Sequence, residues 1–226
     1  WANDAFEPTL SNPISQLCTS SQFKEEEFHF WTAEMKEVFR SHRKLWEFVY
    51  ILQCLQKHHL LNPSRRGLGF GIGKEPLPAV MAKYGVEVLA TDLDTEKAAS
   101  EGWVQSNQHA RTLADLNSKG ICDPERFEKL VKFEFADMNN ISKSYRDFDF
   151  CWSACALEHL GSLDAGLNFI ENSLECLKPG GIAIHTTEYN CLSNKRTVPI
   201  GGTVIYRMQD FLHFGEKLRI KGHQIS

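Results

Sequence analysis

From about Ser21 to Leu60, apolar residues recur at three- and four-residue spacing. Phe28, Trp31, Met35, Val38 and Phe39 form one set, and Leu45, Phe48, Val49, Leu52 and Leu55 a second. That period predicts two amphipathic helices, with Ser41 as the N-cap between them and Asn62-Pro63-Ser64 as the stop. Residues 1–20 are polar, contain Pro8 and Pro13, and read as an extended arm. Past residue 63 the rhythm changes. Short apolar runs at 66–70, 86–91, 131–135, 148–153 and 181–187 predict strands, while 77–84, 95–118, 163–177 and 207–221 carry helical spacing. A short helix is expected from Asp123-Pro124, inside the 119–130 connection. Strands alternating with helices predict an α/β fold: a doubly wound, mostly parallel sheet with helices on both faces. Residues 1–62 are expected to form an arm and helical cap, and 63–226 the α/β domain. After the last helix, Gly222–Ser226 stands where another strand is due, so the sheet is expected to be truncated at its C-terminal strands.

Composition narrows the partners. The 226 residues carry a net charge of -4 and are 42% hydrophobic, enough for one sizeable core. There is no basic excess or stripe of the kind nucleic acid requires. The run Glu25-Glu26-Glu27 reads as a solvated helix face. No apolar run has the length of a membrane helix, and no signal-peptide pattern is present. The seven cysteines are scattered without a Cys-x-x-Cys pair. This argues against a structural zinc site and for reduced thiols in a cytoplasmic protein.

The candidate chemistry lies at the expected strand ends. In Gly67-Leu68-Gly69-Phe70-Gly71-Ile72-Gly73-Lys74-Glu75-Pro76-Leu77-Pro78, four glycines precede a helix start. Such a turn lets a ligand lie against backbone. The spacing is GxGxG, not the GxGxxG of dinucleotide enzymes. Pro76 and Pro78 remove two amides that a pyrophosphate would use, so a ligand without phosphates suits the loop. Asp92, in Ala90-Thr91-Asp92-Leu93-Asp94, ends the second strand and can accept from both hydroxyls of a ribose; Asp94 or Thr95 better suits the cap of the next helix. Asp137 ends the third strand and can take an exocyclic adenine amine, with Met138 against the ring. A fourth strand runs out through Ser153, Ala154, Glu158 and His159. A fifth follows Lys178-Pro179-Gly180-Gly181.

In this order and spacing, the five elements resemble the class I S-adenosylmethionine-dependent methyltransferase family over roughly residues 64–222. The resemblance implies a Rossmann-like sheet and S-adenosyl-L-methionine as cofactor. Gly69, Phe70, Gly71 and Gly73 would hold it at the loop, Asp92 and Leu93 at the ribose, and Asp137 and Met138 at the adenine. Backbone at Ser153 and Ala154 would lie near the methionyl group. Where the family has an acidic residue ahead of the loop, this chain has Gly67; Glu75 is placed to take over part of that role.

For methyl transfer the base candidates are His159, His185 and Glu188. No metal is assigned, carboxylates near His185-Thr186-Thr187-Glu188 and Asn190 being few. His58-His59 reads as a helix end, and Trp31, Tyr189 and the 21–60 helices as a cover for the site. The Asn/Asp-Pro-Pro-Tyr motif of amino methylation is absent after the fourth strand. The expected acceptor is therefore a small molecule, methylated on oxygen rather than nitrogen, with a sugar, glycan precursor or secondary metabolite fitting best. Neither nucleic acid nor membrane is an expected partner, and no signal points to a particular oligomeric state. Two alternatives remain: a nicotinamide-dependent oxidoreductase, against which the GxGxG spacing and missing Tyr-x-x-x-Lys pair count, and a degenerate, non-catalytic cofactor-binding module.

Overall fold

The computed structural model describes residues 7–94 and 112–226. Helices α1 (Glu26–Glu34) and α2 (Arg43–Lys57) precede strand β1 (Arg66–Phe70). Then come α3 (Leu77–Lys83), β2 (Glu87–Asp92), α4 (Pro124–Leu130), β3 (Val131–Phe135) and β4 (Phe148–Ala154). The two-residue β5 (Gly161–Ser162), α5 (Leu163–Leu174), β6 (Leu177–Thr186), the two-residue β7 (Ile200–Gly201) and α6 (Met208–Ile220) complete the order. Five strands form one sheet in the order β3-β2-β1-β4-β6, and β5 pairs with β7 apart from it. All pairings in the large sheet are parallel, whereas β5 and β7 run antiparallel. Strand order reverses between β1 and β4, which places a crevice at their carboxyl ends.

Each face of the sheet carries a core. On one, Val88, Ala90, Phe150, Trp152 and Ile184 pack with α3 and with α2, whose residues Leu45 to Leu55 are all buried. On the other, Leu68, Phe70 and Cys151 pack with Phe169 of α5 and with Tyr206. The glycine-rich stretch divides by the same alternation. Gly67 pairs with Phe150 and Gly69 with Trp152 across the parallel register. A Cβ on either glycine would stand 2.5 Å from the neighbouring ring. These two glycines make room for aromatic side chains of β4. Gly71 and Gly73, with φ +58° and +50°, form the turn itself.

Asp149 ties the sheet together at the end opposite the crevice. Its carboxylate accepts from the Arg66 amide at 2.8 Å, Lys178 Nζ at 3.1 Å and Arg65 Nη1 at 3.1 Å. Burial alone would raise its pKa, but these donors outweigh burial and hold it below the usual carboxylate value.

Several expectations need correction. His42 caps α2, its Nδ1 accepting from the Lys44 amide at 3.2 Å, and Ser41 does not. Helix α1 stops at Glu34, with Lys36 at φ +51°. The periodic reading therefore fails for Val38 and Phe39, which are exposed. Helix α5 ends at Leu174, and β6 begins four residues early because an irregularity in its pairing with β4 admits Pro179-Gly180-Gly181. Of the helix expected over 95–118, residues 95–111 lie outside the described residues, and Leu113–Asn117 is a 3-10 turn.

Candidate functional site

A cavity of about 1110 Å³ opens at the carboxyl ends of β1 to β4. The structure brings Gly71, Gly73, Glu75, Asp92, Leu93, Asp137, Met138, Ala154, His159 and Glu188 to its wall. The N-terminus of α2, through His42, Arg43 and Lys44, closes one side, and Ile200–Thr203 forms another.

The loop after β1 is fastened to β2. The Ile72 amide donates to the Thr91 carbonyl at 3.2 Å, and Thr91 Oγ1 donates to the Gly69 carbonyl at 2.7 Å. Asp92 Oδ2 accepts from the Gly73 amide at 3.1 Å, while Oδ1 accepts from the Leu93 amide at 2.8 Å. The carboxylate is thereby fixed at the rim of the loop. Gly71 is close to the far wall: a Cβ there would lie 2.9 Å from Ala156 Cβ and 3.0 Å from Met138 Sδ. Asp137 turns its own loop, Oδ1 accepting from the Asn139 amide at 2.9 Å. Glu75 is buried beneath the loop with Trp152 Nε1 donating to Oε1 at 2.6 Å. Burial pushes its carboxyl up to about 8.

Four of the sequence-predicted residues do not line the cavity. Gly69 has Trp152 where its side chain would be. Phe70 is buried in the core, edge-on to Phe169. Ser153 and His185 face α5, with Ser153 Oγ 2.8 Å from His185 Nδ1 and Ser173 Oγ 3.3 Å from His185 Nε2. His185 sits on the edge strand of the sheet, so part of its surface stays accessible although packed atoms surround the ring. Burial pushes its imidazole down to about 3. Gly69 and Phe70 lie within β1, before the turn that reaches the cavity, while the side chains of Ser153 and His185 point from their strands toward α5; for Ser153 the expectation concerned its backbone. Trp31 is a core residue too, its Nε1 donating to Gln53 Oε1 at 2.7 Å. Tyr189 bridges Tyr206, so the cover over the site is α2.

His159 lies beyond β4 with Nδ1 2.8 Å from the Gly202 carbonyl. A carbonyl only accepts, so Nδ1 carries a hydrogen that points at it, and Nε2 lies on the other side of the ring. Nε2 is 4.0 Å from Glu158 Oε1. Burial raises the Glu158 carboxyl above its ordinary value, with hydrogen bonds and His159 opposing the shift. Next to them, Arg43 joins three groups: Glu47 at 2.9 Å, Glu188 at 2.5 Å and Cys155 Sγ at 3.0 Å. Lys44 Nζ donates to the Ala154 carbonyl at 2.9 Å. Burial first, then Glu158 and Glu47, push the Cys155 thiol far up, so it stays protonated and donates to Glu47 Oε1. Sequence reasoning missed Arg43, Lys44, Cys155 and Glu158 as wall residues. The available signals were the charged start of an otherwise apolar helix and the Glu158-His159 pair itself.

No family model matches the chain, and no curated protein matches it. Solved structures do. A putative sarcosine dimethylglycine methyltransferase from Galdieria sulphuraria aligns at 12% identity over 85% of this chain and 73% of its own, with a TM-score of 0.54. The cyclase SpnF aligns at 16% identity over 80% of this chain and 58% of its own, with a TM-score of 0.53. The CcbJ methyltransferase from Streptomyces caelestis aligns at 19% identity over 56% of this chain, with a TM-score of 0.41; this chain spans about half of its length, 48%. The likeness is one of fold: the chain has the Rossmann-like, class I methyltransferase architecture.

Proposed function

We propose that the chain is an S-adenosylmethionine-dependent methyltransferase acting on a small-molecule hydroxyl. Because a cyclase shares the fold, fold alone does not choose the reaction, and the reading rests on the site. The observation that carries it is the meeting of the Gly71–Glu75 turn, Asp92 and the Asp137–Met138 turn on one cavity. The positive φ of Gly71 and Gly73 brings bare backbone to the wall. The carboxylate of Asp92, bonded to that turn through the Gly73 amide, is the proposed acceptor for ribose hydroxyls, and Met138 offers an apolar surface to a purine. Glu75 lines the same cavity, and the ammonium of a bound methionyl group would favour its ionised form.

When bound, the cofactor supplies an electrophilic methyl group on a sulfonium. The chain aligns the acceptor with it and takes the hydroxyl proton as transfer proceeds. His159 is the residue proposed for that step, its ring held through Nδ1 by the Gly202 carbonyl. Its position on the cavity wall favours it over His185, which packs against α5. Glu188 pairs with Arg43 and shapes the acceptor side. All seven cysteines are free thiols, which supports a reducing, cytoplasmic setting. Among the described residues no helix is long and apolar enough to cross a membrane.

Calorimetry with S-adenosylmethionine, its demethylated product and NAD tests the cofactor, and a screen of hydroxyl and amine acceptors with methyl-labelled cofactor tests the reaction. Binding of the first two without NAD is expected; NAD binding alone sinks the reading. In a verified reaction, His159→Gln should cut turnover by roughly 10²–10⁴ with cofactor affinity unchanged. Unchanged turnover would remove His159 from the chemistry and favour an amine acceptor.

A further inference from the structure

Three potential ligands converge beside the groups that face the cofactor. Cys155 Sγ, a carboxylate oxygen of Glu158 and one of Glu188 all lie within 4.8 Å of one another. They follow β4 and β6, and the parallel pairing of those strands brings them together. The backbone holds Cys155 in a left-handed conformation, φ +50°, with its amide donating to the Thr186 carbonyl at 3.0 Å. Glu158 is 1% exposed. Its Oε2 accepts from Thr187 Oγ1 at 2.9 Å, whereas its Oε1 is buried with no hydrogen-bond partner. A buried carboxylate oxygen left in that state is costly and calls for a cation or a donor. A metal ion held by its other ligands can sit against it.

We propose that Cys155, Glu158 and Glu188 form a binding site for a thiophilic divalent cation, with zinc the best match. One thiolate and two carboxylates suit zinc at about 2.0–2.3 Å, reached by small rotations of three side chains. A hard cation such as magnesium would not select the sulfur. Water would fill the fourth position. The inference does not depend on the methyltransferase reading.

The chain carries its own competitor for the site. Arg43 Nη1 is 3.0 Å from Cys155 Sγ and Nη2 is 2.5 Å from Glu188 Oε1. Its side chain is 52% exposed, so it can turn toward solvent as an ion enters. On binding, the sulfur–metal bond forms, the thiol proton leaves to water and no electron is transferred.

The test titrates the chelator-treated full chain with Co²⁺, a spectroscopic substitute for zinc. A thiolate-to-cobalt charge-transfer band in the near ultraviolet is expected, reversed by Zn²⁺. Cys155→Ser should abolish the band. Glu158→Gln and the half-buried Glu188→Gln should weaken binding by roughly 10- to 100-fold, the latter guarding against a folding failure at the former. Arg43→Ala, which removes the competing cation, should tighten binding. Absence of the band at millimolar Co²⁺ in both the wild type and Arg43→Ala overturns the site. So does a band that survives Cys155→Ser, which would assign the ion to another thiol such as Cys18 or Cys191.

Discussion

Glu75 is the residue whose chemistry departs furthest from its sequence context. As a charged residue at a helix start it reads as solvent-facing, yet it is buried against Trp152 with its carboxyl near 8, up from 4.5. The folded chain therefore binds this proton more tightly than the unfolded chain. Its contribution to stability is complete below about pH 4.5 and is lost as pH rises toward 8, by on the order of 5 kcal/mol in all. Glu75→Gln should erase that slope. In urea titrations at pH 6 and pH 9, the variant is expected to gain on the wild type by about 2.5 kcal/mol between the two; parallel curves would show that the carboxyl is already ionised at pH 6. Asp92 tests the other end of the cavity. Asp92→Ala should cost about 1.5–3 kcal/mol of cofactor affinity, measured by calorimetry, because ribose hydroxyls would bond to a charged acceptor. The position of Asp92 was legible because a strand end is readable from a short apolar run. The burial of Glu75 was not, because it depends on Trp152, 77 residues away in the chain.

Among elements, β1 and β3 coincide with the runs that foretell them, and β2, β4 and α3 do so within a residue. Short buried strands declare themselves by composition. Which way a side chain faces within a strand depends on register, and a short apolar run does not show that Phe70 turns into the core or that His185 turns toward α5. The two kinds of glycine in the first loop separate on the same ground. Gly69→Ala would drive a methyl group into Trp152 and Ile72. It should lower stability by roughly 1–3 kcal/mol while the folded fraction keeps its cofactor affinity. Gly71→Ala has a left-handed φ to satisfy and crowds Ala156 and Met138 at the cavity wall. It should lower affinity as well as stability. Equal effects of the two substitutions on affinity would mean that the strand and the turn do not divide the work in this way.

At the scale of the whole molecule, the helical cap and the α/β domain share a core. Leu10, Phe28, Trp31 and the α2 residues belong to the same apolar cluster as Val80, Phe150, Trp152 and Ile184. Urea unfolding followed by tryptophan fluorescence and by far-ultraviolet circular dichroism should therefore give one coincident transition. Two separated transitions would show that the cap ending near residue 62 unfolds on its own. Periodicity revealed the cap helices, but not that one of them reaches the site, since helix-to-sheet docking leaves no local signature. That docking also bears on how such a protein can diversify. Arg43 and Lys44 open a helix whose next three turns are core, so beyond these two partly exposed positions a substitution that reshapes the cavity from α2 also disturbs folding. The segment from Tyr189 to Thr203 is half-buried or exposed throughout and borders the same cavity through Ile200–Thr203. Mutational drift toward new acceptors has its unencumbered path there, and a lineage of such chains should vary in that segment while its α2 stays nearly fixed.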